Sequence, residues 1–161
     1  MKIIFLDFDG VIRIAFPKPD GKPDPQYCPE RMQRVARLAS DCGAKLVISS
    51  DWRPSFRRDE MIRLLSPHNP GELLHEDWGT PILTASSPGT LLDESVPRGA
   101  EILTWLARNP DTSTFVILDD MSRDRFPLMQ ENLVKCEWLE GFTEERLQVA
   151  GEVLDDSSSI R

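Results

Sequence analysis

Short apolar runs alternate with helical stripes along the chain, and this order predicts an α/β fold. The first run, Ile3 to Leu6, is apolar throughout, as expected for a buried strand. Similar runs follow, so the predicted strands are residues 3–6, 44–48, 82–84, 114–118 and 132–136. Apolar residues at helical spacing predict helices over residues 29–43, 55–65, 98–108 and 143–154. Strands that alternate with helices favour a parallel sheet with helices on both faces.

The length of the chain, 161 residues, suits one domain with a single core. We expect this domain to span residues 1–154, followed by a polar, frayed tail over residues 155–161. Residues 12–29 include five of the thirteen prolines and predict a short proline-rich flap rather than a regular helix. Residues 66–97 contain several Gly and Pro turns, and the pattern leaves open whether they form a loop or a lid.

Composition and charge narrow the class of protein. The chain is 40% hydrophobic and 29% charged, with no apolar run near the roughly 18 residues that a membrane span needs. Asp7 interrupts the N-terminal apolar run, which is therefore not a signal peptide, and a cytoplasmic location is expected. The net charge of −8 argues against a broad surface for duplex nucleic acid, although it allows a local basic pocket for one phosphate.

Polar side chains follow three of the predicted strands at the point where each strand ends. These residues are Asp7 and Asp9, Ser49 and Ser50, and Asp119 and Asp120. Because the carboxyl ends of parallel strands meet at one edge of a sheet, we expect these groups to lie together, where ligands bind in such folds. Four carboxylates gathered at one place repel each other and require a divalent cation. The alternative for Asp7-Phe8-Asp9-Gly10 alone is a solvated turn, which Asp and Gly both favour.

This set of residues resembles the haloacid dehalogenase-like phosphatase superfamily over nearly the whole chain. The first motif of that superfamily, Asp-x-Asp-Gly after an apolar strand, is present as Asp7-Phe8-Asp9-Gly10. Ser49 corresponds to the second motif, Arg98 is the best candidate for the third, and Asp119-Asp120 corresponds to the fourth. The resemblance implies a three-layer, Rossmann-like α/β fold.

A closer resemblance is to the small, cap-less branch of this superfamily. It rests on four segments: Ser49-Ser50-Asp51-Trp52-Arg53, residues 98–106, Ile117-Leu118-Asp119-Asp120, and Gly141-Phe142-Thr143. That branch includes domains attached to bacterial RNA-repair proteins and lies near the phosphatase half of polynucleotide kinase-phosphatases. The chain has no Gly-x-x-x-x-Gly-Lys-Ser/Thr pattern, so no kinase half is predicted.

The resemblance implies a nucleophile, an acid–base group and a metal site. Asp7 would attack phosphorus and form an aspartyl-phosphate, while Asp9 would protonate the leaving alcohol and then activate water. A Mg²⁺ cofactor would be held by Asp7, the backbone carbonyl of Asp9 and the acidic pair. Within that pair, Asp120 is expected to be the direct ligand and Asp119 to support it.

Four residues are expected to bind phosphate. The hydroxyl of Ser49 and the amide of Ser50 would hold phosphoryl oxygens, and Arg98 would neutralise the transferring group. Arg53 is a second candidate cation. The alternatives are a solvated arginine in the first helical turn for Arg98 and a surface arginine for Arg53.

The tryptophans are interpreted mainly as core residues. Trp52 stands next to the predicted phosphate loop, where it would either stack on a nucleobase or pack in the core, and the second interpretation is favoured. Trp78, Trp105 and Trp138 are predicted to lie in the core.

Short insertions after the first and second motifs leave little chain for a separate cap, so the site is predicted to be open. An open site suits a large substrate. The predicted function is therefore a Mg²⁺-dependent phosphomonoesterase whose favoured substrate is a nucleotide or polynucleotide-end phosphate. One alternative is a small-metabolite phosphatase closed by oligomerisation or by residues 66–97. The other is a catalytically idle binding or regulatory module, although such a module would usually lack Asp7 or Asp9.

Overall fold

Five short strands form the central sheet of the protein in a computed structural model, which describes residues 1–13, 28–65, 70–83 and 97–155. The strands are β1 (Lys2–Leu6), β2 (Ala44–Ile48), β3 (Leu74–Gly79), β4 (Thr114–Asp119) and β5 (Leu133–Lys135). The helices are α1 (Pro29–Cys42), α2 (Arg58–Leu65), α3 (Arg98–Arg108) and α4 (Glu144–Asp155).

The sheet is parallel throughout, and its strand order is β3-β2-β1-β4-β5. Leu6, the last residue of β1, lies opposite Ile48 of β2 and Leu118 of β4. The three central strands therefore end at the same level. The chain runs outward from β1 first towards β3 and then towards β5, so the strand order reverses beside β1. Such reversal points leave a crevice at the carboxyl ends of the strands, where ligands bind.

The two faces of the sheet carry separate apolar clusters because successive side chains of a strand point in opposite directions. Ile4 and Leu6 of β1 pack on the face that is covered by α1, α2 and α4. Ile3 and Phe5 pack on the other face, where α3 contributes Ile102 and Trp105. The ring of Trp105 meets that of Phe5 edge to face at 5.3 Å. The predicted three-layer α/β architecture is confirmed.

Two predicted elements differ from the observed ones. The prediction of a third strand at residues 82–84 is wrong, because β3 is formed by Leu74–Gly79. This strand lies at an edge of the sheet and carries His, Glu and Asp, so it lacks the apolar run of a central strand. The predicted helix 55–65 is divided into a 3₁₀ turn, Arg53–Ser55, and α2, with two non-helical residues between them.

The tryptophans divide into buried and exposed residues. Trp105 is fully buried and Trp78 packs against the core, as predicted. The prediction for Trp138 is wrong: the residue is 44% exposed on the turn that follows β5. Its neighbours Glu137 and Gly141 close this turn through a backbone hydrogen bond of 2.7 Å, which leaves the intervening side chains outside the core.

Several sequence predictions concern residues outside the described ranges. They include most of the proline-rich flap (residues 14–27), the tail from residue 156, and residues 66–69 and 84–96 of the loop or lid. In the described part of the chain, every helix is too short or too polar to cross a membrane.

Gly141 allows the turn after β5 to pack closely against the loop after β1, and this contact generates a test of the fold. The residue has φ of 66°, and a Cβ there would lie 2.5 Å from the carbonyl oxygen of Val11. Gly43, at the end of α1, has a similar φ of 63° but nothing within 4 Å of such a Cβ. We expect Gly43→Ala to cost about 1 kcal/mol of unfolding free energy and Gly141→Ala about 3 kcal/mol or more.

Urea unfolding of the two variants beside the wild type measures this difference. Gly43→Ala is the matched control because it places alanine in the same left-handed backbone region without a steric contact. Equal losses in the two variants would contradict the close packing of the turn on Val11.

Candidate active site

The ends of β1, β2 and β4 bring together the polar groups that were predicted to meet. Asp7 directly follows β1, and its amide donates to the carbonyl of Leu118 at 3.0 Å. Ser49 directly follows β2, and its amide donates to the carbonyl of Leu6 at 3.0 Å. Asp119 is the last residue of β4. The parallel hydrogen-bond ladder thus continues past the strands and sets these three side chains side by side at the reversal point of the sheet.

An acidic cluster is formed by Asp7, Asp119 and Asp120. One carboxylate oxygen from each lies within 4.8 Å of the others. Asp7 and Asp119 are buried, and Asp120 is half-buried. Oδ1 of Asp119 accepts a hydrogen bond from the amide of Met121 at 2.9 Å, whereas its buried Oδ2 has no hydrogen-bond partner in the described residues. A buried, unpartnered carboxylate oxygen beside two other carboxylates is an arrangement that fits a bound divalent cation.

Gly10 has a steric role beside this cluster. It adopts φ of 72°, and a Cβ at this position would lie 2.5 Å from Oδ2 of Asp120. The glycine therefore allows the loop after β1 to pass against the acidic pair at the end of β4.

Arg98 is the main cation at the cluster. It is the first residue of α3 and is only 4% exposed. Its Nη1 lies 3.1 Å from Oδ1 of Asp7 and 3.7 Å from Oδ2 of Asp119, and it also donates to the carbonyl of Ser49. Its Nη2 lies 3.2 Å from Oδ1 of Asp51. These contacts exclude the alternative in which Arg98 is a solvated residue of the first helical turn.

The carboxyl groups of the cluster have raised pKa values. Burial is the largest cause at Asp7, raising its pKa to about 6 although Arg98 acts in the opposite direction. At Asp119, burial and the charge of Asp7 together raise the pKa to about 7, again against Arg98. Burial also raises the pKa of Asp120. The single guanidinium of Arg98 therefore does not balance the negative charge of the three carboxyl groups. The excess negative charge favours binding of a cation.

The two serines lie at the same place. The Oγ of Ser50 accepts from the amide of Trp52 at 3.4 Å, and the Ser50 side chain lies close enough to Asp7 to lower the pKa of that carboxyl. The Oγ of Ser49 is buried and has no hydrogen-bond partner in the described part of the chain. A buried hydroxyl next to Arg98 and Asp7 is suited to bind an oxygen of a ligand.

Arg53 lies beneath the loop after β2 rather than at the acidic cluster. Its Nε donates to the carbonyl of Thr80 at 2.8 Å, and its Nη1 donates to the carbonyls of Ser49 and Ser50 at 2.9 and 2.8 Å. Its Nη2 donates to the carbonyl of Pro81 and to a carboxylate oxygen of Glu101.

These five contacts use all five N–H donors of the Arg53 guanidinium. The geometry therefore assigns Arg53 to holding the loop in place, instead of the phosphate contact expected from its sequence position. It is also not the surface arginine of the alternative, since it is 5% exposed.

Asp9 has two donors that the sequence analysis missed. Its Oδ1 accepts from Nη1 of Arg13 at 2.7 Å, and its Oδ2 accepts from Nε1 of Trp52 at 2.9 Å. The Arg13 guanidinium carbon lies 4.7 Å from the centroid of the Trp52 ring. Trp52 is therefore partly packed against the core, as the favoured interpretation predicted. Its indole N–H also donates a hydrogen bond to Asp9. The only signal for these contacts in the sequence was the position of both residues close to a predicted motif.

One family model matches the chain. It is described as the HAD domain in Swiss Army Knife RNA repair proteins, and it matches residues 3–147. No match was found among the curated proteins or among the solved structures.

The raised pKa of Asp119 generates a test of the electrostatics. The unfolded chain loses this proton near the ordinary pKa of 3.8, whereas the folded protein keeps it up to about 7. The stability contributed by the proton is therefore present in full below about pH 4 and lost as the pH rises through about 7. Asn resembles the protonated form at every pH. Without divalent cations, Asp119→Asn should raise the melting temperature by about 3 °C or more near pH 8.

This gain should shrink as the pH is lowered towards about 5. Thermal melts in EDTA of the wild type, Asp119→Asn and Asp111→Asn measure it, with exposed Asp111 as the control position. A destabilised Asp119→Asn protein at high pH would show that Arg98 more than compensates the charge of Asp119.

Proposed function

Because the chain belongs to the family of HAD domains found in Swiss Army Knife RNA repair proteins, we propose that it is a Mg²⁺-dependent phosphomonoesterase that acts through an aspartyl-phosphate. Membership of the family supports a phosphatase of the HAD type. The single observation that carries the proposal further is the position of Asp7. Its buried carboxylate lies beside Arg98, next to two groups without hydrogen-bond partners in the described residues, Ser49 Oγ and Asp119 Oδ2.

Asp7 is the proposed nucleophile. In the first step, a bond forms between its carboxylate oxygen and phosphorus while the bond from phosphorus to the leaving oxygen breaks. The contact between Asp7 Oδ1 and Arg98 Nη1 holds the carboxylate in one orientation and favours its charged form, against the burial that raises its pKa to about 6. Both groups are buried, so little motion is needed before attack.

Asp9 is the proposed acid and base. In the first step its proton passes to the leaving oxygen, which departs as an alcohol. In the second step its carboxylate takes a proton from the water that attacks phosphorus, and the bond to Asp7 breaks. Phosphate and the original protonation states of Asp7 and Asp9 result, so water is the only co-substrate.

The metal ion would be held by the carboxylates of Asp7, Asp119 and Asp120 and by the backbone carbonyl of Asp9. Hard oxygen ligands suit Mg²⁺. When bound, the ion supplies positive charge that screens the anionic nucleophile from an anionic phosphate. Oδ2 of Asp119 accepts no hydrogen bond from the described residues, which favours a direct role for this residue in addition to the role expected for Asp120.

The phosphoryl oxygens would be held by the Ser49 hydroxyl, the Ser50 amide and Arg98. Arg98 and Arg53 have different positions in this pocket. Arg98 faces the acidic cluster, while Arg53 binds the carbonyls of Ser49 and Ser50 from the other side of the loop. With its carbonyls fixed in this way, the loop would hold the Ser49 hydroxyl and the Ser50 amide in place for phosphoryl oxygens.

A nucleotide or a polynucleotide-end phosphate is the proposed substrate class. The support is the RNA-repair context named by the family description, together with the short insertions in the sequence. The net charge of −8 favours local capture of one phosphate over binding along a duplex. A small-metabolite phosphatase and an idle binding module are the other outcomes of the test.

Phosphate release by purified protein tests the proposal. Wild type, Asp7→Asn and the control variant Asp111→Asn are assayed with Mg²⁺ and with EDTA. The substrates are p-nitrophenyl phosphate, a mononucleotide and a 3′-phosphorylated oligonucleotide. We expect Mg²⁺-dependent turnover, highest kcat/KM on the oligonucleotide, and a loss of at least about 10³-fold in Asp7→Asn, since a nucleophile has no substitute.

The pattern of results separates the alternatives. Preference for the mononucleotide would favour the small-metabolite phosphatase. Absence of turnover on every substrate, or full activity of Asp7→Asn, would contradict the proposed reaction.

A further inference from the structure

The carboxylate of Asp9 is held at both of its oxygens by residues that the proposed reaction does not use. Arg13 donates to Oδ1 and Trp52 donates to Oδ2, at 2.7 and 2.9 Å. Two donors on two different oxygens fix the plane of a carboxylate as well as its position. A carboxylate accepts about four hydrogen bonds. Each oxygen therefore keeps a lone pair for a proton, a leaving group or a water.

Trp52 is itself fixed by packing. Its ring lies parallel to that of Phe56, with an interplanar angle of 5° and centroids 6.2 Å apart. It also contacts Phe8, which stands between the two catalytic aspartates, at a centroid distance of 5.9 Å. While the ring packs against these neighbours, the indole N–H stays directed at Asp9. Indole does not titrate and acts only as a donor.

Arg13 is fixed by its backbone and by the same ring. Its amide donates to the carbonyl of Phe8 at 2.9 Å, and its carbonyl accepts from Gly10 at 2.8 Å. Its side chain is 8% exposed and lies over Trp52. Arg13, Trp52 and Asp9 therefore form one compact unit at the end of β1, which we name the Asp9 clamp.

We infer that Trp52 and Arg13 are positioning residues that orient the Asp9 carboxylate for proton transfer in both steps of the reaction. This inference rests on the proposed function. In the first step the Asp9 proton passes to the leaving oxygen as its bond to phosphorus breaks. In the second step Asp9 receives a proton from the attacking water. Arg13 and Trp52 gain or lose no proton themselves; they set the direction in which Asp9 exchanges one.

The leaving group provides a readout that a purely structural role would not move. p-Nitrophenolate departs without protonation, whereas the more basic phenolate of phenyl phosphate requires the Asp9 proton. The two substrates have the same ring and differ by one nitro group. The value of kcat/KM reports the first step, and general acid catalysis contributes typically about 10²–10⁴-fold there.

Trp52→Phe keeps the aromatic packing and removes only the N–H group. We expect it to increase the ratio of kcat/KM for p-nitrophenyl phosphate over phenyl phosphate about 10-fold, a part of the general-acid contribution. Trp105→Phe is the matched control. Trp105 donates its indole N–H to the carbonyl of Asp77 at 2.8 Å, so the control also loses one such bond, away from Asp9. It should leave the ratio unchanged.

A double-mutant cycle shows whether Trp52 acts through Asp9. In an Asp9→Asn protein, general acid catalysis is already absent, so Trp52→Phe should no longer change the ratio. Arg13→Lys keeps the charge but alters the geometry, and it should shift the ratio in the same direction as Trp52→Phe. It provides the test if Trp52→Phe does not fold.

Distinct results overturn the inference and the proposed function. The inference is overturned if Trp52→Phe lowers kcat/KM equally for both substrates or changes it for neither. It is also overturned if Trp52→Phe still shifts the ratio in the Asp9→Asn protein. In each of these cases the proposed phosphatase reaction stands, but Trp52 does not orient Asp9. If the wild type hydrolyses neither substrate, the proposed function fails and the inference fails with it.

Discussion

The concentration of buried negative charge at one edge of the sheet is the constraint on which the rest of the structure depends. Asp7 and Asp119 lie side by side because β1 and β4 are paired in register, and both are excluded from water. Arg98 is the counter-charge that allows this arrangement. Removing one partner of a buried ion pair typically costs about 3–5 kcal/mol, so the start of α3 is as necessary to the fold as it is to the site.

The same helix also organises the phosphate loop. Glu101 lies one turn after Arg98 and accepts from Arg53, which in turn binds the carbonyls of Ser49 and Ser50. The carbonyl of Ser49 thus receives donors from both arginines. A single helical turn therefore places one cation at the acidic cluster and anchors another beneath the loop. This spacing links helix geometry directly to the shape of the site.

The sequence predicted the structure best where the burial of apolar or charged side chains was the dominant effect. The central strands, α1 and α3 were predictable because their apolar patterns are strong, and the strand-end aspartates were noticeable because burial of charge is costly. The edge strand β3 was missed because only one of its six residues is buried, so it has no apolar run. Trp138 was misplaced because its exposure depends on the turn that the hydrogen bond between Glu137 and Gly141 closes, and a pattern of apolar residues does not show such a turn.

Contacts between distant segments explain the other differences. The role of Arg53 depends on carbonyls at Thr80 and Pro81 and on Glu101, which is 48 positions away. The clamp on Asp9 joins Trp52 to a residue 43 positions earlier. Motif spacing could indicate that Arg53 and Trp52 lie near the site. Only the folded chain shows that their N–H groups donate to other groups of the protein.

The proposed reaction requires that Asp7 becomes covalently phosphorylated. A rapid acid quench of the Asp9→Asn protein with Mg²⁺ and ³²P-labelled p-nitrophenyl phosphate, whose leaving group departs without protonation, followed by peptide mapping, tests this directly. We expect a hydroxylamine-sensitive label on the peptide that contains Asp7, because the intermediate forms but its hydrolysis lacks a base. Substrate turnover without any label, or a label on another residue, would contradict it.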